Sequence, residues 1–268
     1  MKKIMGVLGV VFCLMLAGCA SQKQDTIEKR NTDISKDLTY DHSMELEYAK
    51  MFAVDYYQND YALVTIADDG KYLIVPEGES VPEDMDKDIT VLQQPIQNIY
   101  LAASAAMDMF VATDALDAVR FSSLKADGWY IEEAKKAMED GDIIYAGKYS
   151  APDYEMILNE NCGLAIENTM ILHTPEVKEQ MEKFNIPVLV DHSSYESDPL
   201  GRTEWVKLYG VLTGNEDAAV RAFEEQKQYV QELSDVETTG KTVAFFYVTT
   251  AGTVSVRKSD DYVPKMID

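Results

Sequence analysis

Between residues 98 and 190 the chain repeats one unit, and that repeat leaves few folds open. Short apolar runs stand at 98–102, 118–122, 143–146, 164–166 and 187–190. Stretches with helical apolar spacing fill the gaps, at 104–116, 129–138, 152–158 and 175–184. Runs this short read as buried strands, and their regular alternation with helices predicts parallel βαβ units. Right-handed crossovers then lay the helices over the faces of one sheet. The expected fold class is α/β, a parallel sheet flanked by helices.

In such a sheet a small solute sits outside the carboxyl ends of the strands. Those ends fall here at 103–105, 121–123, 147–149, 167–169 and 191–195, and their residues are small, polar or aromatic. Two readings are open: a solute cleft, or βα loops that are polar as loops are. In the first, Phe121, Trp129, Tyr130, Tyr149 and Tyr195 offer rings for stacking on a flat solute. Ser122 and Asn168 stand at the same strand ends. Arg120, Lys125, Lys148 and Arg202 are cations in an acidic chain and suit an anionic solute. Arg202 also lies close to Glu204, so an ion pair at a helix end is the alternative use for it.

Signs of catalysis and of metal binding are weak. The chain has no G-x-S-x-G, Walker A or G-x-G-x-x-G pattern. Ser193 and Ser194 follow His192, but neighbours on an extended loop point apart and make a poor triad. His42, His173, His192 and Cys162 show no metal-ligand spacing. Neither an enzyme nor a bound cofactor is expected. With 24 basic against 47 acidic side chains the net charge is −23, which argues against nucleic acid as a partner.

The flanks add three expectations. Residues 44–76 are rich in Tyr, Val and Ile, with turn signals at Asn59-Asp60 and Asp68-Asp69-Gly70. They predict antiparallel strands at 45–56, 61–67 and 71–76, and an acidic loop at 77–88 follows. Downstream, 203–212 and 215–233 predict successive helices, the second about 28 Å long and able to bridge two lobes. A strand at 242–249 and a helix from 260 or 261 begin a further unit. At the other end, Lys2 and Lys3 precede an apolar run at 4–17 that closes Leu16-Ala17-Gly18-Cys19. This is a secretory leader pattern, too short to span a bilayer comfortably. Residues 21–37 are polar and charged, as a flexible tether would be. Cys13 leaves with the leader, so Cys162 has no internal disulfide partner.

The small residues before Cys19 resemble the bacterial lipobox, which implies acylation of Cys19 and attachment to the outer face of the cell membrane. The segment Pro199-Leu-Gly-Arg-Thr-Glu-Trp205, running on to Gly210 and the acids Glu216 and Asp217, resembles the iron-complex solute-binding proteins of ABC importers. These are class III periplasmic binding proteins with a stiff interlobe helix, and they include siderophore-, haem- and vitamin B12-binding members. The likeness covers about residues 90–268 and extends to a "Pro-x-x-Glu" helix start at Pro152-Asp-Tyr-Glu155. It implies a first lobe at 41–212 with an antiparallel insert, after a leader at 1–18 and a tether at 19–40. An interlobe helix at 213–236 and the start of a truncated second lobe at 237–268 complete the division. It also implies an iron chelate or corrinoid as solute, an ABC permease and, through Cys19, the bilayer as partners, and Glu155 as a permease-docking residue. Without the resemblance Glu155 is a solvated helix acid. The alternatives are a sensory or adhesive surface lipoprotein, and a truncated fragment of a binding protein.

Overall fold

The computed structural model describes residues 32–234 and 240–267. Its first sheet has five strands in the order β1 (Tyr40–Ser43), β2 (Phe52–Tyr57), β3 (Ala62–Ile66), β4 (Lys71–Val75) and β5 (Ile89–Gln93). The first three pairings are antiparallel and β4 pairs with β5 in parallel. Asn59, Asp60 and Asp68 take left-handed backbone angles at the two tight turns, which short polar side chains tolerate. Alternate residues face opposite sides of a strand, and here both sides are covered. Ala62, Val64, Ile66, Tyr72 and Ile74 pack toward the rest of the lobe. Tyr61, Leu63, Leu73 and Val75 pack toward Ile34, Leu38 and Ile89.

Two sequence expectations change here. The predicted tether at 19–40 is too long, because Ile34 and Leu38 are buried in that outer layer. Ser35 donates to Asp84, and the Tyr57 hydroxyl donates to the Thr32 carbonyl at 2.7 Å. The strand predicted at 45–56 begins only at Phe52. Five consecutive N–H groups before it point at two carboxylates instead of at a neighbouring strand. Those of Glu47, Tyr48 and Ala49 donate to Glu204, and those of Lys50 and Met51 to Glu196, at 2.8–2.9 Å.

The second sheet contains β6 (Ile99–Leu101), β7 (Val119–Ser122) and β8 (Ile144–Tyr145). Two-residue strands β9 (Gly147–Lys148) and β10 (Ala151–Pro152) then form a small hairpin, and β11 (Ala165–Asn168) and β12 (Val188–Asp191) return to the sheet. Its order is β12-β11-β6-β7-β8 and every pairing is parallel. Helices α1 (Ala106–Ala112), α2 (Glu132–Asp140), α3 (Tyr154–Asn159) and α4 (Pro175–Lys183) connect the strands. The repeat read from 98–190 is thus an α/β sheet with the predicted elements in the predicted sequence.

Helices α5 (Pro199–Glu204) and α6 (Val206–Thr213) follow, and Trp205 with the apolar residues of α6 joins the two sheets into one core. Trp205 packs edge-on against Phe52 at 5.1 Å, and Tyr209 against Phe110 at 5.2 Å. Such aromatic pairs add about 0.5–1.5 kcal/mol each beyond the area they bury. Helix α7 (Glu216–Ser234) crosses α6 closely: a Cβ on Gly210 would lie 2.6 Å from the Ala219 Cβ. After it come β13 (Phe246–Val248) and β14 (Val254–Val256), an antiparallel hairpin, and α8 (Tyr262–Ile267). The strand expected at 242–249 is therefore shorter and is one arm of a hairpin. Phe246, Tyr247, Val248, Val254 and Val256 are all exposed.

Candidate functional site

The sheet order reverses between β6 and β11. Strands β7 and β8 extend away on one side and β11 and β12 on the other, and in such sheets the ligand crevice lies at the carboxyl ends where the two directions part. Asn168 lies across it. Its Nδ2 donates to the Ala102 carbonyl at 3.0 Å, and its Oδ1 accepts from the Met170 N–H at 2.9 Å. With both ends engaged, Asn168 ties the crevice floor together. Ser104, Ala105, Met170 and Leu172 stand exposed around it.

The residues singled out from the sequence divide into two groups. Phe121, Ser122 and Trp129 are buried, which corrects their assignment as solute contacts. Phe121 lies wholly inside the core between β7 and the 146–190 region. Trp129 does not start α2; its backbone is extended, and its indole N–H donates to Ser122 Oγ at 3.1 Å. Ser122 Oγ also donates to the Leu124 carbonyl and accepts from the Leu124 N–H. These groups hold the β7–α2 loop and have no face left for a ligand. Tyr130, Lys148 and Tyr195 are exposed at the rim, with Tyr130 at 98%. Tyr149 is half-buried against the core. Lys125 lies 5.4 Å from the ring of Tyr145. Arg120 is spent on Glu160 at 2.6 Å and on the carbonyls of Gly141 and Asp142. Arg202 does not pair with Glu204; it donates to the carbonyls of Glu196 and Ser194, and Lys207 pairs with Glu204 instead, at 2.8 Å. Glu155 is exposed in the first turn of α3, whose end is capped by Asp153 accepting from the Met156 N–H. Cys19 lies outside the described residues.

Several polar groups near the rim carry no sequence signal of their role. Asp69, on the β3–β4 turn, accepts from Lys178 at 2.7 Å, from the Val190 N–H at 3.0 Å and from the Tyr72 hydroxyl. It thereby fastens the first sheet to α4 and β12. His192 is buried beside it with neither ring nitrogen hydrogen-bonded, and Tyr195 covers it edge-on at 5.4 Å. Burial holds this imidazole below its ordinary value, against the upward pull of Asp69, Asp191 and Asp68. Glu167 on β11 is fully buried, with no hydrogen bond to either oxygen. Burial pushes its carboxyl up to about 8. Cys162 is likewise pushed up, to about 11, so it stays a thiol at neutral pH. Among the described residues no group of His, Cys, Asp and Glu has metal-site geometry.

A cavity of about 780 Å³ lies between the lobe and the C-terminal segment. Asp68, Ser194 and Tyr195 line one wall, and Tyr247, Lys258 and Tyr262 the other. Its mixture of rings, hydroxyls and both signs of charge can hold a partly apolar solute that carries polar groups at its edge. Tyr195 and Arg202 are the two sequence-predicted residues that reach it.

No protein-family model matches the chain. An uncharacterized lipoprotein of Methanocaldococcus jannaschii, MJ0878, is 25% identical over 300 aligned positions, which cover all of this chain and 71% of the relative. Among solved structures, holo-ViuP is similar with a TM-score of 0.50 and 18% identity, covering 65% of this chain and 57% of that one. The periplasmic heme binding protein HutB of Vibrio cholerae gives a TM-score of 0.48 at 17% identity, covering 60% and 58%. The chain thus spans less than two thirds of the length of these solved structures. The fold is α/β, a parallel sheet flanked by helices, and is shared with holo-ViuP over the aligned part.

Proposed function

We propose that this chain carries the first lobe and the interlobe helix of an extracytoplasmic solute-binding lipoprotein. It captures an iron chelate or a corrinoid and delivers it to an ABC importer. The observation that carries this reading is the pairing of a rim cavity of about 780 Å³ with the 19-residue helix α7. That helix leads from the lobe to a hairpin whose apolar residues face water. Exposed apolar residues of this kind mark a surface for a further contact. The leader closing on Gly18-Cys19 and the lipoprotein name of the Methanocaldococcus relative support anchoring through Cys19.

Calorimetric titration of the acylation-free chain with haem, cobalamin and ferric siderophores tests the solute. Saturable binding of one member of the panel is expected, weakened about tenfold by Tyr195→Ala through loss of a stacking ring. No binding across the panel removes the reading. Docking is tested separately: Glu155→Ala is expected to leave titration unchanged and to lower uptake by cells, since an exposed helix carboxylate can make a charge-assisted bond to an arginine. Unchanged uptake takes Glu155 out of that role.

A further inference from the structure

The C-terminal segment has little apolar burial to hold it in place. Phe246 is 55% exposed and Val254 62%. It nevertheless reaches the lobe at a built contact. Arg202, on α5, donates from Nε to the Glu196 carbonyl at 3.1 Å and from Nη2 to the Ser194 carbonyl. These bonds fix the guanidinium plane, and its central carbon lies 3.4 Å from the ring centre of Tyr262. Tyr262 opens α8. The residue before it, Asp261, accepts from the Val263 N–H at 3.1 Å and pairs with Arg257 at 3.2 Å. Arg257 directly follows β14. A continuous path therefore runs from the loop after β12, through Arg202 and Tyr262, to the hairpin on the far wall of the cavity.

We propose that Arg202 is a positioning residue that pins the segment following α7 over the rim of the parallel sheet and so sets the width of the cavity. A planar guanidinium fits this task because it stacks on a ring while donating in its own plane, and an ammonium cannot do both. The pin acts whatever solute the cavity takes, so it stands apart from the proposed function.

Hydrogen exchange on the full chain tests it, with the β13–β14 amides as the readout and the β11 amides as the internal reference. Tyr262→Ala and Arg202→Lys are each expected to speed hairpin exchange about tenfold with β11 unchanged. The double variant should be no faster than either single one, and Tyr262→Phe should match the wild type. Equal hairpin exchange in wild type and Tyr262→Ala would overturn the proposal. So would loss of protection in Tyr262→Phe equal to that in Tyr262→Ala, or additive effects in the double variant. Tyr262 lies outside the core of the lobe, so its variants remain informative even if Arg202→Lys disturbs the 194–196 loop.

Discussion

Glu204→Ala is expected to lose about 3–5 kcal/mol of stability, the scale for breaking a buried charge pair. The carboxylate is wholly buried. It accepts from the N–H groups of Glu47, Tyr48 and Ala49 and from Lys207. Removing it leaves three backbone donors without an acceptor and the nearly buried Lys207 ammonium with only the Glu45 carbonyl, at 3.3 Å, and each orphaned group carries its own desolvation cost. Glu204→Gln should also destabilise, because its amide turns a donor toward donors. The pH dependence has a definite sign. Burial alone would raise the Glu204 carboxyl, but the Ala49 N–H, Lys207 and the N–H groups of Glu47 and Tyr48 outweigh burial and hold it below its ordinary value. A group lowered in the fold stabilises above its unfolded value, and that contribution is lost as pH falls through the folded one. Urea unfolding should show the full gap between wild type and Glu204→Ala at pH 7 and a narrowed gap in acid. Superimposable urea curves at pH 7 would dismiss the clamp.

Glu167 behaves in the opposite sense. Its folded value stands near 8 against an ordinary 4.5. Between those values the unfolded chain has released the proton and the folded chain still holds it. Stability therefore falls as pH rises through that window, by about 1.4 kcal/mol per pH unit at most, and levels off above it. Glu167→Gln keeps the shape and removes the ionisation. The variant is expected to match the wild type near pH 4.5 and to exceed it by about 3–5 kcal/mol at pH 9. A pH-independent difference between the two unfolding curves would show that Glu167 does not titrate in this way.

Much of the lobe was legible because βαβ units write their period directly into hydrophobicity. What escaped was decided by distant contacts. Phe121 and Ser122 sit at the strand end where a cleft residue would sit, and nothing local says that both turn into the core. Trp129 follows a loop glycine as an accessible aromatic would, yet its indole found Ser122. The segment Pro199–Trp205 was legible as unusual but not as a fastening. Glu204 binds a loop about 155 positions earlier in the chain. Gly201 is small because the Tyr48 carbonyl would lie 3.2 Å from any Cβ there. Ile34 and Leu38 were too sparse to announce a packed layer, and they bury only because the first sheet offers them its outer face.

That first sheet also constrains how the lobe could have arisen. Met51, Phe52, Val64 and Ile74 share one buried cluster with Phe110, Trp205 and Tyr209. A version of the lobe lacking residues up to Gln93 would open a broad aromatic floor to solvent. Gain or loss of this N-terminal module is therefore not a one-step event. It requires concurrent exchange of large rings for polar side chains on α1 and α6.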